Sequence, residues 1–294
     1  MEKSRKKKKS NAIYTILIVF LSIVILVCLY QIVSRLHVYK KGNDVYDKLL
    51  SQAVQTVAAE RTSAVPPGVA QTTPEQETPE QETPEQAVGE AQPQTTAQTE
   101  PVPVVPAELP YQNVDFGLLQ QLNGDIKAWL QGSNTGINYP VVQGTDNDFY
   151  LTHLADGTVN DNGSLFFDYR KQPFSDDMTM IYGHHMKSGA MFGRLERYGT
   201  QRFYEENPVM RLYTPQATYR VELFAGIYTT GDETFPLNFG DEQKFNGYIK
   251  ALMKKSTVRA PVTVSYGDRI LCLYTCAYHT ANGRYVVYGR LVNE

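Results

Sequence analysis

The chain has 294 residues, with 28 Lys plus Arg against 31 Asp plus Glu and a net charge of −3. That slightly acidic balance argues against nucleic-acid binding, and three cysteines are too few for a disulfide framework. Charge and apolar residues are, however, strongly segregated along the chain.

Residues Lys3 to Lys9 hold six basic side chains, and Ala12 to Val33 follows as 22 residues without a charge. At about 1.5 Å per residue this run reaches roughly 33 Å, enough for a hydrocarbon core of about 30 Å. It ends Val27-Cys28-Leu29-Tyr30-Gln31, with no small-residue cleavage site. The reading is a cytoplasmic basic segment over 1–11 and an uncleaved transmembrane anchor over 12–33, with the remainder exported. Residues 34–61 place Val45, Leu49, Leu50, Val54 and Val57 at helical spacing and predict a juxtamembrane helix. Residues 62–110 are rich in Pro, Gln, Thr and Glu, with a Thr-Pro-Glu-Gln-Glu repeat between Thr73 and Gln86. Such a stretch buries too little apolar area to offset chain entropy, which predicts a disordered linker that spaces the next domain from the membrane.

Residues 111–294 suit one domain, and a soluble fragment starting near Tyr111 is expected to keep fold and activity. Phe116, Leu119, Leu122, Ile126 and Trp129 predict an amphipathic N-terminal helix. Short β-rich runs follow at Ile137 to Val142, Ser164 to Phe167, Met178 to Tyr182, Met210 to Tyr213, Tyr219 to Tyr228 and Thr263 to Val264, with two more strands at the end. Asp241 to Lys255 reads as a helix through Phe245, Tyr248, Ile249 and Leu252. Many short strands with few helices predict a mainly β, closed or nearly closed barrel.

The chemistry gathers near the C-terminus. Leu271-Cys272-Leu273-Tyr274-Thr275-Cys276 is an apolar run ending on a cysteine. A short loop with an Asn282-Gly283 turn signal leads to Arg284, which opens a second apolar run. Strand, turn and strand bring a thiol and a guanidinium close together. Cys272 and Cys276 are four apart, roughly 13 Å along a strand, so they cannot pair while the strand is intact. Tyr182-Gly183-His184-His185 supplies an imidazole, and spacing alone leaves His184 and His185 both open. Cysteine, histidine and arginine are the parts needed for acyl transfer through a thioester. His153, His184, His185, Cys276 and His279 match no common zinc spacing, and neither metal nor cofactor is expected.

These motifs resemble the sortases, and class B most. The family ends a barrel strand with T-L-x-T-C and places an Arg on the next strand, which here reads Leu271 to Cys276 and Arg284. Its histidine follows a glycine after an apolar strand, here Ile181-Tyr182-Gly183-His184. Asp115-Phe116 with Leu119, Asn123, Asp125 and Trp129, the run Tyr139 to Gln143, and Asp146-Asn147 with Tyr150-Leu151 are similar to class B. So are Gly163-Ser164 with Phe166 and Asp168, and Met191-Phe192. The resemblance implies a sortase-type β-barrel with an N-terminal helical lead-in and a helix between two late strands.

It further implies Cys276 as nucleophile, His184 rather than His185 as acid/base, and Arg284 as stabiliser of the oxyanion or substrate. Tyr274 stands where class B often has Ser, and Tyr274 and Thr275 are expected to touch substrate. The implied activity is a membrane-anchored extracellular transpeptidase. It cleaves a C-terminal sorting motif of exported proteins and passes the acyl group to an amine of a cell-wall precursor or a pilin lysine. A secreted cysteine endopeptidase resolved by water would use the same residues. A wall-associated binding module would need none of them.

Overall fold

The computed structural model describes residues 2–63, 106, 109–276 and 282–294, and the side chains of 14–53, 106, 109–275 and 282–294. Most of the expected linker, His279, the thiol of Cys276 and the basic side chains of Lys3 to Lys9 lie outside these described residues. The elements in chain order begin with α1 (Glu2–Ser63), α2 (Phe116–Leu122), β1 (Ile126–Gly132), β2 (Asn138–Val142), β3 (Leu165–Phe167) and β4 (Met178–Tyr182). Then come α3 (Gln201–Glu206), β5 (Val209–Tyr213), β6 (Thr218–Thr230), α4 (Glu242–Lys255), β7 (Arg269–Cys276) and β8 (Gly283–Asn293).

The strands close into a barrel in the order β1-β2-β3-β4-β7-β8-β6-β5, with β5 pairing back onto β1. Two pairings are parallel, β2 with β3 and β4 with β7. The second sets the residues before Gly183 beside those before Cys276: Ile181 lies opposite Leu273 and Tyr182 opposite Tyr274. Alternation along β7 gives it two buried faces. Leu271 and Leu273 point into the barrel core, while Ile270 and Cys272 belong to a second core beneath α4 with Phe245, Ile249 and Leu252. The α4 helix starts where Asp241 accepts a hydrogen bond from Lys244 N at 2.8 Å, an N-cap that satisfies an otherwise orphaned donor.

The helical spacing over Phe116 to Trp129 does not produce one helix. α2 stops at Leu122, and Ile126 and Trp129 belong to β1. Asn123 explains the break. Its backbone N–H closes the helix onto Leu119 O at 3.0 Å. Its side chain donates to Tyr150 Oη and Ala155 O and accepts from Asp125 N. Those bonds hold an extended backbone at Asn123, and Gly124 has no helix preference to oppose them. Thr263 and Val264, read as a strand, form no regular element.

α1 runs without interruption across the expected boundary between anchor and juxtamembrane helix. Its stretch from Tyr14 to Leu36 is exposed throughout, long and apolar enough to cross a membrane. Beyond it, Tyr46, Leu49 and Ala53 are buried in the same core as the barrel, so the packed unit begins well before residue 111. Tyr46 Oη donates to Gly163 O at 2.7 Å, lies 2.9 Å from Ser164 Oγ, and its ring meets Tyr139 edge-on. Asn160 and Asn162 donate to the Val38 and Tyr39 carbonyls. Gly42 makes this approach possible: a Cβ there would stand 2.4 Å from Asn162 Nδ2 and 2.8 Å from Asn160 Oδ1.

Candidate active site

A cleft of about 630 Å³ opens beside the ends of β4, β7 and β8. His184, Tyr274, Thr275 and Arg284 all line it, as do Tyr182 and Arg170. Four residues expected from the sequence are thus gathered at one place. The fifth, Cys276, is the last residue of β7 and pairs in register with Arg284 on β8.

The histidine is held from three sides. Gly183 donates to Tyr274 O at 3.2 Å and accepts from Thr275 Oγ1 at 2.8 Å, so β7 fixes the peptide on which His184 begins. A Cβ at Gly183 would meet Leu165 at 2.5 Å and Phe192 at 2.7 Å, which leaves only glycine at this packing distance. The imidazole Nε2 of His184 lies 2.7 Å from Leu151 O. A carbonyl only accepts, so Nε2 carries the proton and Nδ1 is left for proton exchange. His185 turns elsewhere: its Nδ1 faces Glu196 Oε2 at 3.7 Å and it does not line the cleft. His153 bonds Phe149 O and stacks on the Phe149 ring, so His153, His184 and His185 do not converge.

The partner set against His184 Nε2 is a backbone carbonyl, not an acid. Every residue has such a carbonyl, so no side-chain pattern could have marked Leu151. Gly163, with φ of 58°, carries the chain past this point; a Cβ there would lie 2.7 Å from Leu151 O and 3.0 Å from His184 Cδ2.

Arg284 stands on the other wall. Its Nη1 donates to Gly283 O at 2.9 Å, and its guanidinium carbon lies 5.8 Å from the centre of the Tyr274 ring. Among the described residues no carboxylate forms an ion pair with it, so donors remain for an oxyanion or a substrate carbonyl. Gly231 packs against the guanidinium, where a Cβ would be 2.8 Å from Nη2. The turn is fixed by Asn282, with φ of 56°, whose carbonyl accepts from Gly231 N at 2.9 Å. Thr275 is buried with its hydroxyl on Gly183 O, so it braces the histidine turn. Tyr274 is the one whose ring faces the cleft, edge-on to Tyr182 and Phe235.

A second polar group underlies the cleft. Asp168 is buried and takes a two-pronged contact from Arg170, with Nε at 2.9 Å from Oδ1 and Nη2 at 2.5 Å from Oδ2. Tyr182 Oη donates to the same carboxylate at 2.9 Å. Burial would raise the Asp168 carboxyl, but the bonds from Arg170 and Tyr182 outweigh it and hold the group below the usual carboxylate range. Burial and the Asp168 charge together push the Tyr182 phenol up, so it stays a neutral donor.

Comparison with known proteins gives the family. A sortase-domain model matches residues 131–292. The chain belongs to the sortase family, in class B. It is 37% identical over 180 residues to sortase B of Listeria monocytogenes, spanning 60% of this chain and 73% of that protein. Among solved structures, a Staphylococcus aureus sortase B–substrate complex superposes with a TM-score of 0.58 at 31% identity, over 60% of this chain and 84% of that one. Sortase B from B. anthracis in complex with AAEK1 gives a TM-score of 0.57 at 34% identity, covering 61% and 84%. The sortase described here is accordingly a cysteine transpeptidase of the sortase type.

Proposed function

We propose that this sortase is held in the cell membrane by α1, with its N-terminus cytoplasmic and its barrel outside, and joins exported proteins to a surface amine. Cys276 is the nucleophile. Its thiolate attacks the carbonyl carbon of a Thr in a C-terminal sorting motif, and Arg284 stabilises the oxyanion that forms. The carbon–nitrogen bond then breaks. His184, as imidazolium, gives the Nδ1 proton to the departing amine, which leaves a thioester on Cys276. An incoming amine attacks the thioester and passes a proton to His184 Nδ1, and the thiolate leaves.

The observation that carries this reading is the register of Cys276 opposite Arg284 at the mouth of a cleft that also takes in His184. The acceptor amine comes from a cell-wall peptide precursor or a pilin lysine, and Tyr274 with Thr275 forms the wall beside the bound motif. An N-P-x-T-like motif is the starting choice.

The test incubates the full chain, wild type and Cys276→Ala, with a library of sorting-motif peptides and an amine donor, with products read by mass spectrometry. Amine-ligated product that disappears in the variant supports the reading. Cysteine-dependent hydrolysis with no ligation, across wall-peptide and lysine amines, would instead make the protein an endopeptidase.

A further inference from the structure

The covalent path from membrane to barrel passes through residues 64–105, but the packed path does not. α1 leaves its exposed apolar stretch and reaches the barrel at once. Arg35 is two residues past Val33 and pairs with Asp161 at 3.6 Å. Val38 and Tyr39, about 8 Å further along the helix than Val33 at 1.5 Å per residue, accept from Asn160 and Asn162. Tyr46, about 20 Å past Val33 on the same measure, is buried against Gly163 and Ser164. Gly163 in turn lies against the His184 ring. The chain after α1 therefore departs from, and returns to, a body that α1 already grips.

We infer that α1 is a rigid arm that seats the barrel on the lipid headgroup layer, with the loop around Val159 to Asn162 facing the bilayer and the cleft about 20 Å above its hydrocarbon edge. This rests on the reading that α1 spans the membrane. Residues 64–105 then set neither height nor reach, contrary to the spacer role that their composition suggests. Seating also restricts substrates. A membrane-held peptide reaches the cleft when roughly six extended residues separate its scissile bond from the bilayer, at about 3.3–3.6 Å each. Arg35, about 3 Å past Val33 on the same measure, stands with its Asp161 partner at the depth of the headgroups.

The measurement is nitroxide quenching of a bimane on Val159→Cys, a position 74% exposed. The full chain, with Cys28→Ser and Cys276→Ala, is reconstituted in phosphatidylcholine–phosphatidylglycerol vesicles carrying headgroup nitroxides. Cys272 is fully buried and does not label. Strong quenching is expected, unchanged when the Thr73 to Gln86 repeats are duplicated. A seven-residue helical insert between Val33 and Ser34 adds about two turns and about 10 Å while keeping the same face toward the barrel. It should cut quenching at least threefold. Gly42→Leu should do the same by displacing the barrel, and because that variant disturbs packing, the insert, which leaves the interface intact, is the deciding arm. Quenching that tracks the repeat length, or ignores the insert, overturns the arm. Protein that floats with vesicles but is unquenched overturns the arm alone, whereas protein that fails to float overturns membrane anchoring as well.

Discussion

The two ends of the β7–β8 hairpin carry the same residue types in opposite settings. At the cleft end Cys276 pairs with Arg284, and at the inner end Cys272 and Arg290 stand on the same two strands. Cys272 is fully buried beneath α4, and desolvation pushes its thiol far above the ordinary range, so it stays protonated. Arg290 is occupied, with Nη2 at 2.6 Å from Glu222 Oε2 and Asp268 at 3.7 Å. Arg284 has no such acid partner among the described residues. Residue type is thus shared, and position on the strand decides which arginine keeps donors free of a carboxylate among the described residues.

The sharpest break of this comparison is a swap of cysteines. Cys276→Ala should lower acyl transfer by more than about 10³-fold, as loss of a nucleophile does. Cys272→Ala should leave turnover unchanged and cost about 1 kcal/mol of stability. Iodoacetamide under native conditions, followed by peptide mapping, should modify Cys276 and spare Cys272. Equal labelling of both would remove the contrast.

The adjacent histidines extend the comparison. His184→Gln should reduce kcat by about 10²- to 10⁴-fold, the usual contribution of a positioned acid or base. His185→Gln should leave kcat near wild type, since its ring faces Glu196. Steady-state assays of both variants decide the assignment, and the reverse ranking would transfer the role to His185.

For the arginines, Arg284→Ala should cost about 10²- to 10³-fold in kcat, in the range of a lost oxyanion donor. Arg290→Ala should shift only stability, by up to about 1 kcal/mol for an ion pair near the surface. A kcat effect at Arg290 equal to that at Arg284 would mean that the two ends are not functionally distinct.

Much of this contrast was legible in the sequence because strands announce themselves by alternation. Met178 to Tyr182, the two last strands and the α4 helix needed only period-two or period-3.6 patterns. Ile126 and Trp129 misled because they fit helical spacing as well as a strand, and only the side-chain bonds of Asn123 decide between them. Among the residues proposed for the chemistry, Cys276, Arg284 and Tyr274 stand in one short segment. The Leu151 carbonyl and the Gly183–Thr275 bond were not legible, since backbone partners leave no composition signal. Nor could the sequence tell what the face of Tyr46, Leu49 and Ala53 packs against. The spacing of Val45, Leu49 and Leu50 marks a helix, but of these only Leu49 is fully buried, and the partner surface lies more than a hundred residues away.

That face supplies a test of how far the folded unit extends. A fragment of residues 111–294 exposes the surface that Tyr46, Leu49 and Ala53 cover, and should be less stable than 34–294 by roughly 3–5 kcal/mol from buried apolar area. Urea denaturation of the two fragments reads the difference. Equal midpoints would place the boundary at Tyr111, as the sequence alone suggested.

A smaller effect than that of the truncation is expected at the floor of the cleft. Asp168→Asn weakens the contacts to Arg170 and Tyr182 and should cost about 1–2 kcal/mol at neutral pH, with Arg170 half exposed and therefore partly screened. Because the folded carboxyl titrates below its unfolded value of about 3.9, its contribution is present above that pH. It is lost as pH falls through the folded value. The gap in Tm between wild type and variant should therefore be widest near pH 7 and close on acidification below about pH 4. A gap that stays constant across this range would mean that Asp168 acts by shape and not by charge. The Arg170–Asp168–Tyr182 group would then brace the cleft floor without electrostatic help.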